Sequence, residues 1–444
     1  MQFCRFIFYA FLLFVPIQAI ADMACVQSRL NALGFEAGVA DGLIGSKTRA
    51  ASTLYLEAMG ADLPELSRAN SDIWCSELAD TNMPIAGLEG IGINTAFMWS
   101  AASTNNPRLP ETVLNHIKPI QEHGFNSLFV VACVDWIIQQ RCKKAWQSRD
   151  DLIEAINILL DNTDLHLALS FKGYETKKVN GKNISTLQAR LEREPEVQRA
   201  FVDEWRLFAR EFSDIPRERL SFVLLNEPEF QLPNPTDQKR RAWEKIASAA
   251  IEAIREISPN RVIILEGIAK SKFNERWKKS GAYKYTLDNL MQPLPYPDLI
   301  YAVHSYSPRK FTDQSKNREG FNGIAYSSKI ERAIRSDAQR LLKWQKKHGV
   351  PVMVSETGCI SKVEGYEEGT PNLEDCGKYA GAYREYFAEA GIPVIWWAIE
   401  KERTIYIRTK NDCSFYSQKN CDTWVPRSRI PNPYIFEGLG LNLN

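Results

Sequence analysis

Two carboxylates stand at the ends of apolar runs that lie far apart in the sequence. Glu227 ends the run in "SFVLLNEP", residues 221–228, and Glu356 ends the run in "PVMVSETG", residues 351–358. Short apolar runs of this kind are typical of strands buried on both faces, and a carboxylate gains nothing from such a core. Two carboxyl groups in one cleft can cleave a glycosidic bond, because one protonates the leaving oxygen while the other attacks the anomeric carbon or activates water. Glu227 and Glu356 are therefore the candidate catalytic pair.

Other apolar runs also end in polar or aromatic residues. These are Asn94, Trp99, Asp135, Trp136, Lys172, Tyr174, Asn226, Glu266, His304, Tyr306, Trp396, Trp397 and Glu400. Aromatic faces stack on the apolar faces of sugar rings, and carboxylates accept hydrogen bonds from sugar hydroxyls. The set suits a neutral carbohydrate better than a phosphorylated metabolite.

The elements that carry these residues alternate between short apolar runs and amphipathic segments. The expected strands are residues 91–94, 127–132, 165–171, 220–225, 261–266, 299–304, 351–356 and 393–398. Strand-then-helix units in this number predict an α/β fold, the (β/α)₈ TIM barrel, in which the active site lies at the carboxyl ends of the strands. The alternative is an open doubly wound sheet, but no Gly-rich phosphate loop follows Asn94 as that fold would normally require.

Four of the strand ends resemble motifs of glycoside hydrolase family 5, the cellulase-like family. "LLNEP" resembles its strand-four motif, "VHSYS" its strand-six motif, "VSETG" its strand-seven motif and "VIWWA" its strand-eight motif. The resemblance covers nearly everything after residue 86. It implies a retaining β-glycosidase that hydrolyses O-glycosidic bonds of a β-linked polysaccharide, either glucan-like or mannan-like.

The resemblance also implies a role for each matched residue. Glu227 would be the general acid/base and Glu356 the nucleophile, with their carboxyl groups about 5 to 5.5 Å apart. Asn226 would bond the 2-hydroxyl of the sugar, Tyr306 would orient Glu356, and Trp397 would stack on the sugar. The full predicted substrate-binding set is Asn226, His304, Tyr306, Trp397, Trp136 and Lys172. Taken alone, Asn-Glu-Pro would equally fit a helix start after a strand.

Two positions depart from the family pattern. Where strand two of the family carries an Arg that pairs with the nucleophile, "GFNSLF" has Phe129, and where strand three usually offers a His, this chain has Phe171 and Lys172. Loss of the Arg would raise the pKa of Glu356, and we hypothesise that Lys172 replaces its charge. The departures leave an alternative open, a non-catalytic or weakly catalytic glycan-binding protein of the cell wall.

Residues 22–82 predict a small all-α domain ahead of the catalytic domain at 87–444. The segment resembles peptidoglycan-binding-like domains, which pair a "LQ..L..LG" helix with a "G..DG..G..T..A" turn. The matching residues are Val26, Gln27, Leu30, Leu33, Gly34, Gly38, Asp41, Gly42, Gly45, Thr48 and Ala51. The resemblance implies peptidoglycan as a partner, and a folding or docking module is the alternative.

The first 21 residues predict a cleavable signal peptide. Arg5 precedes an apolar stretch, and Ala19-Ile20-Ala21 fits a signal peptidase site. The stretch is shorter than the ~20 apolar residues that span a bilayer, which disfavours the alternative of an uncleaved anchor. We therefore expect a secreted or periplasmic protein with no membrane span after cleavage.

Cysteine usage and charge add further expectations. After Cys4, the remaining cysteines fit disulfides in an exported protein, and nearest-neighbour pairing gives Cys25–Cys75, Cys133–Cys142, Cys359–Cys376 and Cys413–Cys421. No C-x-x-C spacing occurs and the five His residues are scattered, so we expect no metal and no cofactor. The net charge of +1, without a long run of one sign, argues against a nucleic-acid partner.

Overall fold

The chain has two compact units, Met1–Thr81 and Asn82–Asn444. The structure, a computed structural model, describes residues 17–32, 35–59, 61, 63–79, 87–95, 109–142, 148–179, 182–230, 236–268, 293–314, 323–360, 373–399, 403–407 and 430–443. Within these ranges, no helix is both long enough and apolar enough to cross a bilayer.

The small unit is helical. Its helices are α1 (Ile17–Ala32), α2 (Ser46–Met59) and α3 (Ser71–Ala79). The disulfide Cys25–Cys75 joins α1 to α3, and Tyr55 packs against Trp74 in the core. Because α1 begins at Ile17, it crosses the expected signal-peptide end at residue 21, and cleavage there stays a prediction.

Residues of the peptidoglycan-binding-like motif hold the loop between α1 and α2. The Gln27 amide Nε2 donates to Asp41 Oδ1 at 3.1 Å and to Thr48 Oγ1 at 3.1 Å, while the Gly42 N–H donates to Gln27 Oε1 at 2.8 Å. Gly42 has φ +77°, a left-handed conformation that favours glycine. These contacts explain why the motif has Gln, Asp, Gly and Thr at these positions, since they satisfy the buried amide of Gln27 and fix the loop around it.

The large unit is a closed barrel of eight parallel strands, as the sequence predicted. The strands are β1 (Ile91–Thr95), β2 (Ser127–Cys133), β3 (His166–Lys172), β4 (Leu220–Val223), β5 (Val262–Glu266), β6 (Leu299–His304), β7 (Val352–Thr357) and β8 (Val394–Trp397). Each strand pairs with the next, and β8 pairs with β1, so the alternative of an open sheet is wrong. Parallel pairing places the carboxyl ends of all eight strands at one end of the barrel.

The described helices of the large unit follow the strands. They are α4 (Leu109–Glu122), α5 (Arg149–Asn162), α6 (Thr186–Leu191), α7 (Pro195–Glu211), α8 (Thr236–Arg255), α9 (Arg309–Thr312), α10 (Ser328–His348), α11 (Leu373–Tyr383) and α12 (Pro433–Leu439). After β3, the antiparallel segments Thr176–Val179 and Lys182–Ser185 form a hairpin that we did not predict. Its signal was present, because the Asn-Gly dipeptide at 180–181 is typical of tight hairpins.

Apolar side chains from the strands fill the barrel. The core cluster takes Phe129 from β2, Ala168 from β3 and Val223 from β4, and continues with Val262, Ile264, Ile300, Ala302, Met353, Ile395 and Leu88. Phe129, which stands where the family has Arg, is 1% exposed in this cluster. It therefore contributes packing to the barrel and offers Glu356 no charge.

Arg261 anchors the opposite end of the barrel, where β5 begins. Its guanidinium donates to the carbonyls of Phe212 at 2.7 Å, Ile215 at 2.7 Å and Leu220 at 2.9 Å, and burial lowers its pKa to about 10. Arg261→Met leaves these carbonyls without their donor. We expect the free energy of unfolding of the large unit to fall by about 2–4 kcal/mol, measured by urea unfolding.

A matched arginine provides the control. Arg206 pairs at the surface with Asp203 and Glu256. Arg206→Met should lower the free energy of unfolding by less than about 1 kcal/mol, because exposed ion pairs contribute little. Equal losses in the two variants would contradict the anchoring role of Arg261.

Candidate active site

The chain leaves β4 in a tight turn that carries Asn226 and Glu227. Glu227 has φ +50°, a left-handed conformation that costs a non-glycine residue about 1–3 kcal/mol unless its surroundings hold it. Gln188 on α6 holds it from one side, because its Nε2 donates to the Glu227 carbonyl at 3.1 Å and its Oε1 accepts the Glu229 N–H at 2.6 Å. Glu266 at the end of β5 holds it from the other, accepting the Glu227 N–H at 2.7 Å.

The turn brings Glu227 close to Glu356 on β7. A carboxyl oxygen of Glu227, a ring nitrogen of His304 and a carboxyl oxygen of Glu356 all lie within 4.8 Å of one another. The nearest oxygens of the two carboxyl groups are therefore close enough for both groups to face one glycosidic bond, as the paired carboxyl groups of retaining glycosidases do. The Glu227 side chain is 32% exposed and the Glu356 side chain 7%, so Glu227 is the one more open to solvent.

Tyr306 and Asn226 hold the Glu356 carboxyl group. The Tyr306 hydroxyl donates to Glu356 Oε2 at 2.9 Å. When the Asn226 amide is oriented to satisfy both of its groups, its Nδ2 donates to Glu356 Oε1 at 3.3 Å. The Arg403 guanidinium lies 4.6 Å from the centre of the Tyr306 ring, which it covers from the side of β8. Both oxygens of Glu356 are thus fixed by donors.

His304, the last residue of β6, touches three carboxyl groups. Its Nδ1 lies 3.4 Å from Glu227 Oε1 and 3.2 Å from Glu356 Oε2, and its Nε2 lies 3.0 Å from Glu266 Oε1. Burial would lower the pKa of His304, but the charges of Glu266 and Glu356 outweigh it and raise that pKa well above its usual value. His304 is therefore a cation that links the candidate pair.

Lys172, the last residue of β3, lies on the other side of Glu227. Its Nζ is 3.1 Å from Glu227 Oε2 and donates to Asn226 Oδ1 at 2.9 Å. Burial opposes the charge, but Glu227 and Glu356 together raise the pKa of Lys172. We had expected Lys172 to replace an Arg that pairs with Glu356, and the structure instead pairs it with Glu227.

This arrangement separates the pKa values of the two carboxyl groups. Burial favours the neutral form of Glu227, but Lys172 and His304 outweigh it and hold the pKa of Glu227 well below its usual range. Burial raises the pKa of Glu356 to about 7 against the opposing charge of His304. These shifts favour the ionised form of Glu227 and the protonated form of Glu356 in the free protein, whereas the family-based roles place the proton on Glu227 during the first step.

Aromatic side chains form one wall beside the pair. Trp397, which begins a cis peptide bond with Ala398, packs with Val131, Tyr174 and Tyr306. Trp136 and Tyr174 pack in turn against the disulfide Cys133–Cys142. The Trp136 Nε1 donates to Glu204 Oε1 at 2.9 Å, so Trp136 can offer a sugar only its ring face. Trp99 and Glu400, named from the sequence, lie outside the described residues.

Three of the four expected disulfides are present. Cys133–Cys142 closes the segment after β2, and Cys359–Cys376 closes the segment after β7, both on the side of the candidate site. Cys25–Cys75 is in the small unit. Cys413 and Cys421 lie outside the described residues. Cross-links of this kind restrict the loops that carry Trp136 and the residues after Glu356.

Sequence analysis placed Glu266 and Asp135 among the strand-end residues without giving either a specific role, and it did not name Gln188. Glu266 ends an apolar run just as Glu227 and Glu356 do. Asp135 accepts the N–H groups of Tyr174 and Glu175 at 2.8 Å each and so holds the loop after β3. Gln188 lies on a short helix with no motif around it, and no sequence signal pointed to it.

The cellulase family, glycosyl hydrolase family 5, matches this chain over residues 91–403. Endoglucanase 3 of Fibrobacter succinogenes is 24% identical over 208 residues, which are 38% of this chain and 29% of that protein. Endoglucanase C of Acetivibrio thermocellus is 28% identical over 141 residues, 31% of this chain and 34% of that protein. The chain thus spans about a third of the length of these curated relatives.

Solved structures share the fold. Endoglucanase Cel5A of Thermotoga maritima superposes with a TM-score of 0.55 at 20% identity, covering 79% of this chain and 96% of that one. A broad-specificity endoglucanase of Clostridium longisporum gives a TM-score of 0.56 at 20% identity, covering 81% of this chain and 99% of that one. At this identity the likeness establishes the barrel alone. The match over residues 91–403, which is more than half of the sequence, shows that the chain belongs to the cellulase family, glycosyl hydrolase family 5.

Proposed function

We propose that the protein is a retaining β-glycosidase that hydrolyses the O-glycosidic bonds of a β-linked polysaccharide, glucan-like or mannan-like. The observation that carries the proposal is the Glu227–Glu356 pair, held with His304 within 4.8 Å at the carboxyl end of the barrel. That proximity is in keeping with a retaining mechanism, in which the two carboxyl groups lie closer together than in an inverting one. Membership of a family of cellulases supports the same reaction class.

In the proposed first step, Glu227 protonates the glycosidic oxygen while Glu356 attacks the anomeric carbon. The bond to the leaving sugar breaks, a bond to Glu356 forms, and Glu227 is left as a carboxylate. In the second step Glu227 takes a proton from water, the resulting hydroxide equivalent attacks the anomeric carbon, and Glu356 is released. Two inversions give net retention of configuration.

The supporting residues act on the same two groups. Tyr306 and Asn226 hold Glu356 from both of its oxygens, and we expect Asn226 to bond the 2-hydroxyl of the sugar as well. Trp397 supplies the ring on which we expect the sugar to stack. His304 and Lys172 supply positive charge that offsets the repulsion between two neighbouring carboxylates. Trp136 would extend the stacking surface beyond the reacting sugar.

The substrate class is supported by proteins of the same fold. Cel5A of Thermotoga maritima has been crystallised with mannotriose and with cellobiose, two β-linked saccharides of different sugars. Our proposal for this chain therefore keeps both a glucan-like and a mannan-like substrate. The aromatic side chains Trp397, Tyr174 and Trp136 fit an uncharged polysaccharide of either kind.

The test is hydrolysis of a panel of β-glucans, β-mannans and peptidoglycan, with Glu356→Gln as the inactive control. We expect new reducing ends from at least one β-glucan or β-mannan, and proton NMR of the first product should show the β-anomer before mutarotation. An α-anomer would overturn the retaining mechanism. Binding without cleavage across the panel would favour the alternative of a glycan-binding wall protein.

We also propose that the protein is exported, to the medium or the periplasm, and that its small unit binds peptidoglycan. Export is supported by the three disulfides, which persist in oxidising compartments. Peptidoglycan binding is supported by the motif alone, and its core residues, such as Gln27, have structural contacts that need no ligand. Sedimentation of the protein with purified cell walls, compared with a chain lacking residues 22–82, tests it.

A further inference from the structure

A third carboxyl group, that of Glu266, is buried beneath the candidate pair. Glu266 is 4% exposed and ends β5. Its two oxygens bind different parts of the site: Oε2 accepts the Glu227 N–H at 2.7 Å, while Oε1 accepts the Ser355 hydroxyl at 3.0 Å and lies 3.0 Å from His304 Nε2. Glu266 thus connects the turn after β4 with β6 and β7.

We propose that Glu266 is a positioning residue that fixes the place of Glu227 and the charge of His304 together. The inference rests on the proposed function, because it assigns Glu266 to the same reaction. Glu266 is nearly buried and both of its carboxyl oxygens bind protein groups, so it acts through the two residues that it binds.

The first route is the backbone of Glu227. A left-handed glutamate persists only where neighbouring groups fix it, and the described contacts that do so are Gln188 and Glu266. A hydrogen bond to a carboxylate is stronger than one to a neutral acceptor, and the 2.7 Å distance fits a charge-assisted bond. Glu266 therefore sets where the Glu227 carboxyl group stands relative to Glu356.

The second route is the imidazole of His304. A carboxylate that accepts a hydrogen bond from Nε2 keeps a proton on that nitrogen. It thereby favours the doubly protonated, positively charged imidazole ring. The Nδ1 proton then points at Glu227 Oε1 and Glu356 Oε2, at 3.4 and 3.2 Å. One cation thereby serves both carboxyl groups, and Glu266 is what holds it in place.

The test is Glu266→Gln in the full chain. The amide oxygen can still accept the Glu227 N–H, but the amide NH₂ faces His304 Nε2, so the ring loses the partner that favours its charge. By NMR, with the His304 signal assigned from a His304→Asn spectrum, we expect the wild-type ring to stay protonated at neutral pH. In Glu266→Gln it should titrate at least about one unit lower.

Turnover supplies a second measurement. Loss of the His304 charge raises the pKa of both Glu227 and Glu356, so both limbs of the kcat/KM profile move to higher pH. We expect kcat to fall about tenfold while KM changes less than about twofold, because the substrate contacts remain.

Two controls separate positioning from general damage. Gln188→Leu disturbs the same turn without touching His304, so it should lower kcat and leave the His304 titration unchanged. Asp375→Asn changes a buried carboxyl group elsewhere, which accepts the Tyr326 N–H at 3.0 Å. This variant should change neither kcat nor the His304 titration. Melting temperatures verify that each variant is folded.

If the His304 pKa in Glu266→Gln equals that of the wild type, the proposal is overturned. It is also overturned if Gln188→Leu lowers the His304 pKa by as much as Glu266→Gln does. If the wild-type protein cleaves no polysaccharide, the proposed function fails, while the His304 titration still decides what Glu266 does.

Discussion

Replacing Glu356 by Gln should lower kcat/KM by at least about 10⁴-fold on polysaccharides and on aryl glycosides alike, because Glu356 is the group that we propose forms the glycosyl-enzyme bond. Replacing Glu227 by Gln should lower it by about 10²–10⁴-fold on polysaccharides, the usual contribution of a general acid. On a dinitrophenyl glycoside, whose leaving group needs no proton, the first step of Glu227→Gln should be nearly normal. Initial rates on both substrate types measure the difference.

The comparison matters here because the pKa shifts in the free protein favour the proton on Glu356 rather than on Glu227. Lys172 and His304 favour the Glu227 carboxylate, whereas burial favours protonated Glu356. Substrate must reverse this order if Glu227 is the acid. The positive charge that develops at the anomeric carbon stabilises the Glu356 carboxylate, and a sugar that displaces water from Glu227 raises the pKa of Glu227.

Azide distinguishes the two assignments directly. With azide, Glu227→Ala should regain turnover on the aryl glycoside and yield the β-glycosyl azide, because azide attacks the intermediate without base catalysis. Glu356→Gly should yield the α-glycosyl azide, formed by a single displacement. Exchange of these two products between the variants would assign the acid role to Glu356 and would contradict the roles inferred from the family.

The barrel and the candidate pair could be predicted because both follow from local sequence. Apolar runs of four to seven residues define the strands, and the residue that ends a run lies at the active end of the barrel, as Glu356 and His304 do. β4 ends at Val223 rather than residue 225, but the N–H groups of Leu224 and Asn226 still donate to the carbonyls of Ile264 on β5 and Phe171 on β3.

The contacts between strand ends could not be predicted in the same way. Whether Lys172 binds Glu227 or Glu356 depends on small differences in the relative positions of β3, β4 and β7. The order of the Glu227 and Glu356 pKa values depends in turn on that contact. Gln188 comes from a helix that no motif marks. Spacing in sequence indicates which residues meet at the barrel end, but not which pairs form.

Lys172→Met should move the whole pH profile of kcat/KM to higher pH by about one to two units. The pair is active with one proton, so the acid limb reports loss of the first proton and the alkaline limb loss of the second. The Lys172 charge, 3.1 Å from Glu227, favours the ionised form at both steps. Removing the charge raises both apparent pKa values, and at the acid end the rate should fall about 10–100-fold.

Lys172→Arg is the matched control, because it keeps the charge and should leave both limbs within about half a unit of the wild type. The alkaline side gives the sign of the effect independently. There the wild type has lost the proton that Glu227 must donate, whereas Lys172→Met retains it, so the variant should lose less activity at alkaline pH relative to its own maximum. If the pH profile of Lys172→Met does not shift, Lys172 does not replace the charge of the strand-two Arg whose position Phe129 occupies. In that case His304 alone would hold the pair in its singly protonated form.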